Sequence, residues 1–202
     1  MAVNLVKGQK IDLTKGNAGL KQIMVGLGWE PATSTGKGFL AAMFGGGAKK
    51  DFDCDASVIM LTEGDKLKSN KDVVYFGNLT HASNSVCHRG DSITGEGAGD
   101  DEQIFIDLKA VPSDIQKLSF VVNIYDCANR KQDFGMIKNA YIRIVDNGTK
   151  EELARYNLTD NYQGYTALEV GEVYRHNGEW KFAAVGNGTR ELSLSEMIKK
   201  YL

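Results

Sequence analysis

The chain is divided into short apolar or alternating stretches separated by turn residues, and this rhythm limits the folds open to it. Stretches of this length that are bounded by Gly, Asn, Asp and Pro predict β-strands. Many of them at close spacing predict a mainly β fold, here an antiparallel β-sandwich. The predicted strands are Gln22–Trp29, Ser57–Leu61, Asp72–Phe76, Gln103–Leu108, Leu118–Tyr125, Ala140–Val145, Glu152–Leu158, Ala167–Tyr174 and Trp180–Val185.

Two local signals refine this prediction. Asn177-Gly178 stands between two predicted strands, and Asn-Gly is the favoured pair of a two-residue hairpin turn. Ser193 and Glu196 have the spacing of a capping box ahead of Met197 and Ile198. We therefore expect few and short helices, including one at the C-terminus that packs on the sandwich.

The length of 202 residues predicts a single domain over residues 1–202. Residues 31–50 interrupt the strand rhythm with Gly-rich sequence around an apolar centre from Phe39 to Phe44, and they predict a flexible insertion. The insertion could cover the edge of the core as a loop. It could also be a finger that contacts a partner or a membrane.

Charge and cysteine content narrow the functional classes. A net charge of −2 gives no basic surface for nucleic acid. No apolar run approaches the roughly 18 residues that span a bilayer, and residues 1–10 lack the apolar core of a signal peptide. Cys54, Cys87 and Cys127 are odd in number and form no Cys-x-x-Cys pair, which favours free thiols in a reducing cytoplasm.

The segment 90–102 is the most unusual part of the sequence. It holds four glycines and five carboxylates in thirteen residues, without Lys or Arg. Crowded carboxylates repel one another, and glycine lets backbone carbonyls turn inward at no steric cost. The segment therefore predicts a divalent-cation site. Its acidic residues are Asp91, Glu96, Asp100, Asp101 and Glu102.

A second acidic element precedes an apolar run. In an extended strand Asp51, Asp53 and Asp55 would share one face, with Phe52, Cys54 and Ala56 on the other. Like charges on one strand face are destabilising unless something offsets them. A cation held between this strand and the acidic segment would offset both groups of charges.

Calcium matches these residues best, because Ca²⁺ takes about six to eight carboxylate and carbonyl oxygens at roughly 2.3–2.6 Å. The spacing is not that of a 12-residue EF-hand loop. Mg²⁺ prefers strict octahedral geometry and retains its waters, and Zn²⁺ prefers Cys or His ligands, which the acidic motifs do not supply as a set. The alternative without metal is a solvated acidic turn.

Several motifs together resemble the TerD family of bacterial tellurium-resistance and stress-response proteins. The resemblance runs nearly from end to end of the chain, and its most specific part is the acidic segment. The similar motifs are Lys7–Thr14, Phe52–Ser57, Gly90-Asp91, Thr94–Glu102, Ile124–Asp126 with Phe134, Glu172–Arg175, Trp180–Phe182 and Ala184–Gly186.

The resemblance implies a β-sandwich with two neighbouring Ca²⁺ ions at one end. It implies a non-enzymatic role, with membrane-associated resistance proteins and homologous TerD-like proteins as partners. Its ligand set comprises strand residues, both sides of the acidic segment and a nearby asparagine. Carried over by position, these are Asp53, Asp55, Asn78, Asp91, the carbonyls around Thr94 and Gly97, Asp100, Asp101 and Glu102.

Three functions stay open at this level. The first is a calcium-binding module that orders an acidic surface for a partner. The second is a module in which anionic lipid completes the calcium shell, placing a cytoplasmic protein peripherally at the inner membrane. The third is a metal-dependent hydrolase with Glu96 as its base. A nucleophile built from Cys87 with His81 or His88 is disfavoured, because no orienting residue or oxyanion motif accompanies it.

Overall fold

A computed structural model describes residues 2–31, 52–90 and 99–202. In these ranges the chain forms two packed six-stranded sheets with a few short helices, which confirms the mainly β prediction. The strands are β1 Val3–Leu5, β2 Lys10–Asp12, β3 Gln22–Pro31, β4 Cys54–Leu61, β5 Val73–Val74, β6 Val86–His88, β7 Glu102–Asp107, β8 Lys117–Ile124, β9 Ile137–Asp146, β10 Glu152–Asn157, β11 Ala167–His176 and β12 Glu179–Thr189.

Sheet A has the order β1-β10-β9-β3-β7-β6, and sheet B has the order β2-β12-β11-β8-β4-β5. Neighbouring strands are antiparallel except for β1 and β10, which pair in parallel. The α-helical segments are α1 Cys127–Arg130 and α2 Leu194–Met197; short 3₁₀ turns cover Asn70–Asp72, Phe134–Met136 and Ile198–Tyr201. Residues 112–116 contain a turn and no helix.

Side-chain alternation explains how the sheets pack. In β7 the residues alternate strictly between buried and half-buried, so Ile104 and Ile106 enter the core. In β8 all but Lys117 are buried, as the continuous apolar run predicts for a central strand covered on both faces. Asn177 and Gly178 have φ values of 52° and 79°, which a two-residue hairpin turn requires.

The C-terminal helix packs as the sequence predicts. The Ser193 side chain accepts a hydrogen bond from the Glu196 N–H at 3.3 Å and begins α2. Met197 is buried against the outer face of sheet B, in a second apolar cluster that includes Ile59 and Val121. The outer face of sheet B is therefore covered in part, whereas its inner face packs on sheet A.

One end of the sandwich gathers the acidic residues. The strands β4 and β7 begin there, and β3, β6 and β8 end there, because the register pairs Cys54 with Ile124 and Leu27 with Glu102. We call this the acidic end and define it by Asp53, Asp55, Asp101 and Glu102. The insertion 31–50 lies outside the described residues from 32 onward.

Candidate metal centre

Asp53 and Asp55 flank a buried cysteine at the start of β4. Cys54 and Ala56 are buried, whereas Asp53 is exposed and Asp55 is half-buried, so the predicted alternation is present. The backbone of this segment is held by the Tyr125 N–H, which donates to the Asp53 carbonyl at 2.7 Å. The aspartates therefore share the outward side of the strand.

The two acidic segments meet around the Cys54 thiol. Burial is the main reason that the pKa of this thiol lies well above its usual value. The nearby charges of Asp55, Glu102, Asp53 and Asp101, in decreasing order, raise it further. The two segments are also joined directly, because the Ala56 N–H donates to a Glu102 oxygen at 2.7 Å, so they are neighbours in space although they lie about fifty positions apart in sequence.

Glu102 links the two sheets from inside the sandwich. Its side chain is only 3% exposed. One carboxylate oxygen accepts from the Ala56 N–H of sheet B at 2.7 Å and lies 3.2 Å from His88 Nε2. The Gly90 N–H donates to His88 Nδ1 at 2.9 Å, so the imidazole proton belongs on Nε2, facing Glu102. The pair fixes the chain on both sides of the acidic segment.

Asp101 is held by the backbone of β3. Its own N–H donates to the Leu27 carbonyl at 2.8 Å, and its carboxylate accepts from the Trp29 N–H at 2.7 Å. Burial nevertheless raises the pKa of Asp101, and the charges of Asp100 and Glu30 add to this effect. The shift therefore reflects mainly the removal of this carboxylate from water.

Asp100 takes a different direction from its neighbours and lies on the outer face of sheet A. Arg143 donates two hydrogen bonds to its carboxylate, from Nε at 2.7 Å and from Nη2 at 2.8 Å. Tyr141 Oη and Gln103 Nε2 each donate at 3.0 Å. The side chain of Asp100 is fully buried, and a Cβ at Gly26 would lie 2.4 Å from its carboxyl group. This position on β3 therefore requires glycine.

The Asp100 cluster changes the titration of its partners. The hydrogen bond to Asp100 is the main reason that the pKa of Arg143 is raised. Burial, followed by the charge of Asp100, raises the pKa of Tyr141 to about 12. Asp100 is therefore already neutralised by a bidentate guanidinium, which is a strong and geometrically specific arrangement. Nothing in the sequence pattern around residue 100 indicates this partner.

The other predicted ligands fall into two groups. The Asn78 side chain donates to the Val73 carbonyl at 2.8 Å and the Lys71 carbonyl at 3.4 Å, so its amide holds the turn after β5. Asp91, Thr94 and Gly97 lie outside the described residues. Across ranges 2–31, 52–90 and 99–202, no group of three or more His, Cys, Asp or Glu residues is arranged to hold a metal.

The donor set at the acidic end nevertheless suits a hard cation, because carboxylates are the oxygen ligands that Ca²⁺ and Mg²⁺ prefer. Among the described residues, Arg130 is a cation that lies beside the acidic end. Its Nη2 lies 3.9 Å from an Asp53 oxygen, and its Nε lies 3.9 Å from an Asp126 oxygen. These distances are long for hydrogen-bonded pairs, so Arg130 screens Asp53 without the close grip that Arg143 has on Asp100.

A chain of hydrogen bonds through His81 is a separate feature that the sequence reading missed. His81 Nδ1 lies 2.7 Å from Ser83 Oγ, and Nε2 lies 3.1 Å from an Asp72 oxygen. The Ser83 backbone N–H donates to the same Nδ1 at 3.2 Å. The contacts between His81 and Ser83 close a turn of three residues, so they explain the conformation of the loop at 81–83.

Comparison with known proteins places this architecture in a family. The model of the TerD domain matches residues 1–201. Stress response protein SCP2 of Bacillus subtilis (strain 168) is 57% identical over 202 residues, which is the full length of both chains. Tellurium resistance protein TerD of Serratia marcescens is 44% identical over 188 residues, which covers 93% of this chain and 91% of that protein.

A solved structure agrees with the fold. The crystal structure of a homologue of telluride resistance protein (TerD) from Streptomyces coelicolor A3(2) superposes with a TM-score of 0.65 at 19% identity. The match covers 91% of this chain and 98% of that one. Among the residues that the structure describes, no helix has the length and apolar character needed to cross a bilayer.

Proposed function

Because the chain belongs to the TerD family of tellurium-resistance and stress-response proteins, we propose that it is a non-enzymatic, calcium-binding module of the stress response. Calcium binds at the acidic end and orders the acidic segment into a surface for a partner protein. The observation that carries this proposal is the contact between the two acidic segments, where the Ala56 N–H, next to Asp55, donates to a Glu102 oxygen at 2.7 Å.

The electrostatics of the acidic end support a bound cation. Burial is the main reason that the pKa of Asp101 is raised, and repulsion from the charges of Asp100 and Glu30 raises it further. A divalent ion between β4 and the start of β7 would offset this repulsion. It would also tie sheet B to sheet A at a point where Glu102 already spans them.

The proposed ligands are carboxylates from both segments. Asp53 and Asp55 come from the first strand of the site and Asp101 and Glu102 from the second. Asp91 and the carbonyls around Thr94 and Gly97 complete two shells, as the family resemblance implies. Asp100 becomes a ligand only if its carboxylate releases Arg143 and binds the ion instead. Asn78 would bind through its side-chain oxygen, because its side-chain nitrogen donates to the Val73 carbonyl.

The non-enzymatic role follows from the use of these groups. A carboxylate committed to a cation does not shuttle protons. The relatives are named for stress response and tellurium resistance. As partners we propose membrane-associated resistance proteins and homologous TerD-like proteins, met in the cytoplasm. Ion-dependent ordering of a charged surface would make such an association sensitive to calcium.

Calorimetric titration of Ca²⁺ into chelator-treated protein tests the proposal. We expect two saturable events, with Kd values in the micromolar range or tighter. We also expect a rise in melting temperature, because a ligand that binds only the folded state at a hundredfold excess over Kd adds about 2.7 kcal/mol of stability. Mg²⁺ at equal concentration should produce a smaller rise. Flat heats together with an unchanged melting temperature would contradict the proposal.

Co-sedimentation with vesicles separates the partner role from the lipid role. If anionic lipid completes the calcium shell, the protein should pellet with phosphatidylserine vesicles in calcium and stay in the supernatant in chelator. Our proposal of a protein partner predicts no calcium-dependent pelleting with either anionic or neutral vesicles. Calcium-dependent pelleting on anionic vesicles alone would favour the lipid role.

A further inference from the structure

A groove of about 370 Å³ lies on the outer face of sheet B, between the acidic end and the C-terminal helix. This volume is in the range of small-molecule sites. One wall comes from the strands β4 and β8, through Asp55, Ser57 and Asn123, and the opposite wall from residues 192–195 with Ile198. Residues 70–76 also line the groove, through Asn70, Val73, Tyr75 and Phe76, so several separate parts of the chain build it.

Two buried polar atoms in this groove lack a hydrogen-bond partner. Ser57 is 1% exposed and Asn123 is 7% exposed. Ser57 Oγ and Asn123 Oδ1 are both unpartnered, and both residues line the groove. A buried polar atom without a partner destabilises the fold, so each of these two atoms needs an explanation. A ligand that donates hydrogen bonds at this wall would supply one.

The rim of the groove is aromatic and apolar. Phe76 is 60% exposed, Tyr125 is 53% exposed and Leu192 is 49% exposed. Tyr75 and Phe76 stand edge to face with their ring centroids 5.3 Å apart. Exposed aromatic side chains around a concave site can bind an apolar group, or a cation that lies over the face of a ring.

The charged residues that line the groove indicate which charge its ligand carries. Asp55 and Asp126 line the groove, and among its described lining residues none is Lys or Arg. Arg130 lies outside the lining, 3.9 Å from Asp126 and 5.3 Å from the centroid of the Tyr125 ring. The charged groups of the lining are thus carboxylates, and Ser57 Oγ and Asn123 Oδ1 can both accept hydrogen bonds, so the groove favours a cation with N–H donors over an anion.

We infer that this groove binds a small organic cation in which a guanidinium or primary ammonium head is joined to a short alkyl or aryl body. The head donates hydrogen bonds to Asn123 Oδ1 and Ser57 Oγ and faces the carboxylate of Asp126, whereas Asp55 is left to the calcium site. The body packs against Tyr75, Phe76 and Leu192. This ligand site is distinct from the calcium sites, although Asp55 borders both.

Titration of butylguanidinium into calcium-saturated protein tests the inference, with butylurea as a neutral probe of similar shape and butyrate as an anionic one. We expect saturable binding of butylguanidinium alone. Asn123→Leu and Ser57→Ala each remove one unpartnered oxygen, and each should weaken binding at least about tenfold. The exposed, remote variants Asn157→Leu and Ser113→Ala are matched controls and should bind like the parent protein.

Calcium titration of the same variants keeps the two sites apart. The inference predicts that Asn123→Leu and Ser57→Ala retain the calcium affinity of the parent. It is overturned if butylguanidinium does not bind, if butylurea binds as well, or if both variants retain cation binding. It is also overturned if both variants lose calcium affinity, because their oxygens then belong to the metal site. A failure of calcium binding in the parent protein alone leaves the groove result intact and refutes only the proposed function.

Discussion

Asp100 and Asp101 are adjacent in sequence, yet the fold places their carboxylates in opposite electrostatic situations. Asp100 is fully buried on the outer face of sheet A under a bidentate arginine, a tyrosine and a glutamine. Asp101 lies at the acidic end, where its near charges are negative and its pKa is raised. The comparison teaches that acidic density in the sequence does not equal acidic density in space.

The difference has a structural cause in the strand β3. Gly26 leaves room over the outer face of sheet A, so the Asp100 carboxylate can reach Arg143 on β9. The next residue turns toward the end of β3, where Trp29 offers only a backbone N–H. The Asp100 carboxylate therefore tethers the acidic segment, and we propose that the following carboxylates bind an ion.

The largest effect is expected on stability from Arg143→Ala. It leaves Asp100 buried without its cation, and we expect a loss of about 2–3 kcal/mol in the free energy of unfolding. This lies below the roughly 3–5 kcal/mol of fully buried pairs because the guanidinium is partly exposed. Urea denaturation in chelator measures it. A double variant, Arg143→Met with Asp100→Leu, should recover most of the loss. If Arg143→Ala is as stable as the parent, the ion pair does not tether the acidic segment.

The next effect concerns calcium affinity and compares the two adjacent aspartates directly. Asp101→Asn should weaken calcium binding at least tenfold, about 1.4 kcal/mol, and Asp55→Asn should do the same. Asp100→Asn should weaken it less, because its carboxylate is engaged by Arg143. Calorimetry on all three variants tests the ranking. The opposite order would place the ion on the outer face of sheet A.

Without calcium, Asp101→Asn should not lower the stability of the protein. A carboxyl group whose pKa is raised by folding destabilises the folded state at pH values above that pKa, so removal of its charge should stabilise the chelated protein or leave it unchanged. The amide oxygen can still accept from the Trp29 N–H. Thermal melts in chelator at pH 7 report this, and a fall of several degrees would show that the charge is already compensated.

Glu102→Gln should give an effect of about 1–2 kcal/mol on unfolding in chelator. The variant keeps one acceptor but weakens the charged hydrogen bonds that join the sheets at Ala56 and His88. His88→Gln, which retains a donor toward position 102, is the matched variant from the other side of the pair. Unchanged stability for both variants would mean that this bridge does not hold the acidic end together.

The smallest effect is a change in acid sensitivity on sheet A. The hydrogen bond from Arg155 is the main reason that the pKa of Glu152 lies below its ordinary value of 4.5, and Arg143 adds to it. This stabilisation is present above that value and is lost as the pH falls through the lowered pKa. Glu152→Gln should lose about 0.5–1 kcal/mol at pH 7 and converge with the parent in strong acid. A constant difference at all pH values would contradict this origin.

The fold could be predicted from the sequence because its longer strands carry their own signal. The hairpin at Asn177-Gly178, the central strand at 118–125 and the capped C-terminal helix are all decided by local residues. The strands β1, β2 and β6 have three residues each, too few for alternation to be recognised. The short helix α1 likewise has no local cap, since no side chain caps its start.

The site could be predicted only where a single strand decides it. The alternation of Asp53, Cys54 and Asp55 follows from strand geometry alone. The engagement of Asp100 depends on which strands are neighbours, since Arg143 is 43 positions away and faces Asp100 only through the pairing of β9 with β3. The groove over Ser57 and Asn123 depends in the same way on where the C-terminal helix packs.

The most direct test of the central claim is anomalous X-ray diffraction from crystals grown with calcium. The account predicts a calcium peak about 2.3–2.6 Å from carboxylate oxygens of both segments, Asp53 or Asp55 on one side and Asp101 or Glu102 on the other. Arg143 should still hold Asp100 in that structure. A calcium-saturated crystal with no peak at the acidic end, or with its ion on Asp100 and Arg143 displaced, would contradict the account.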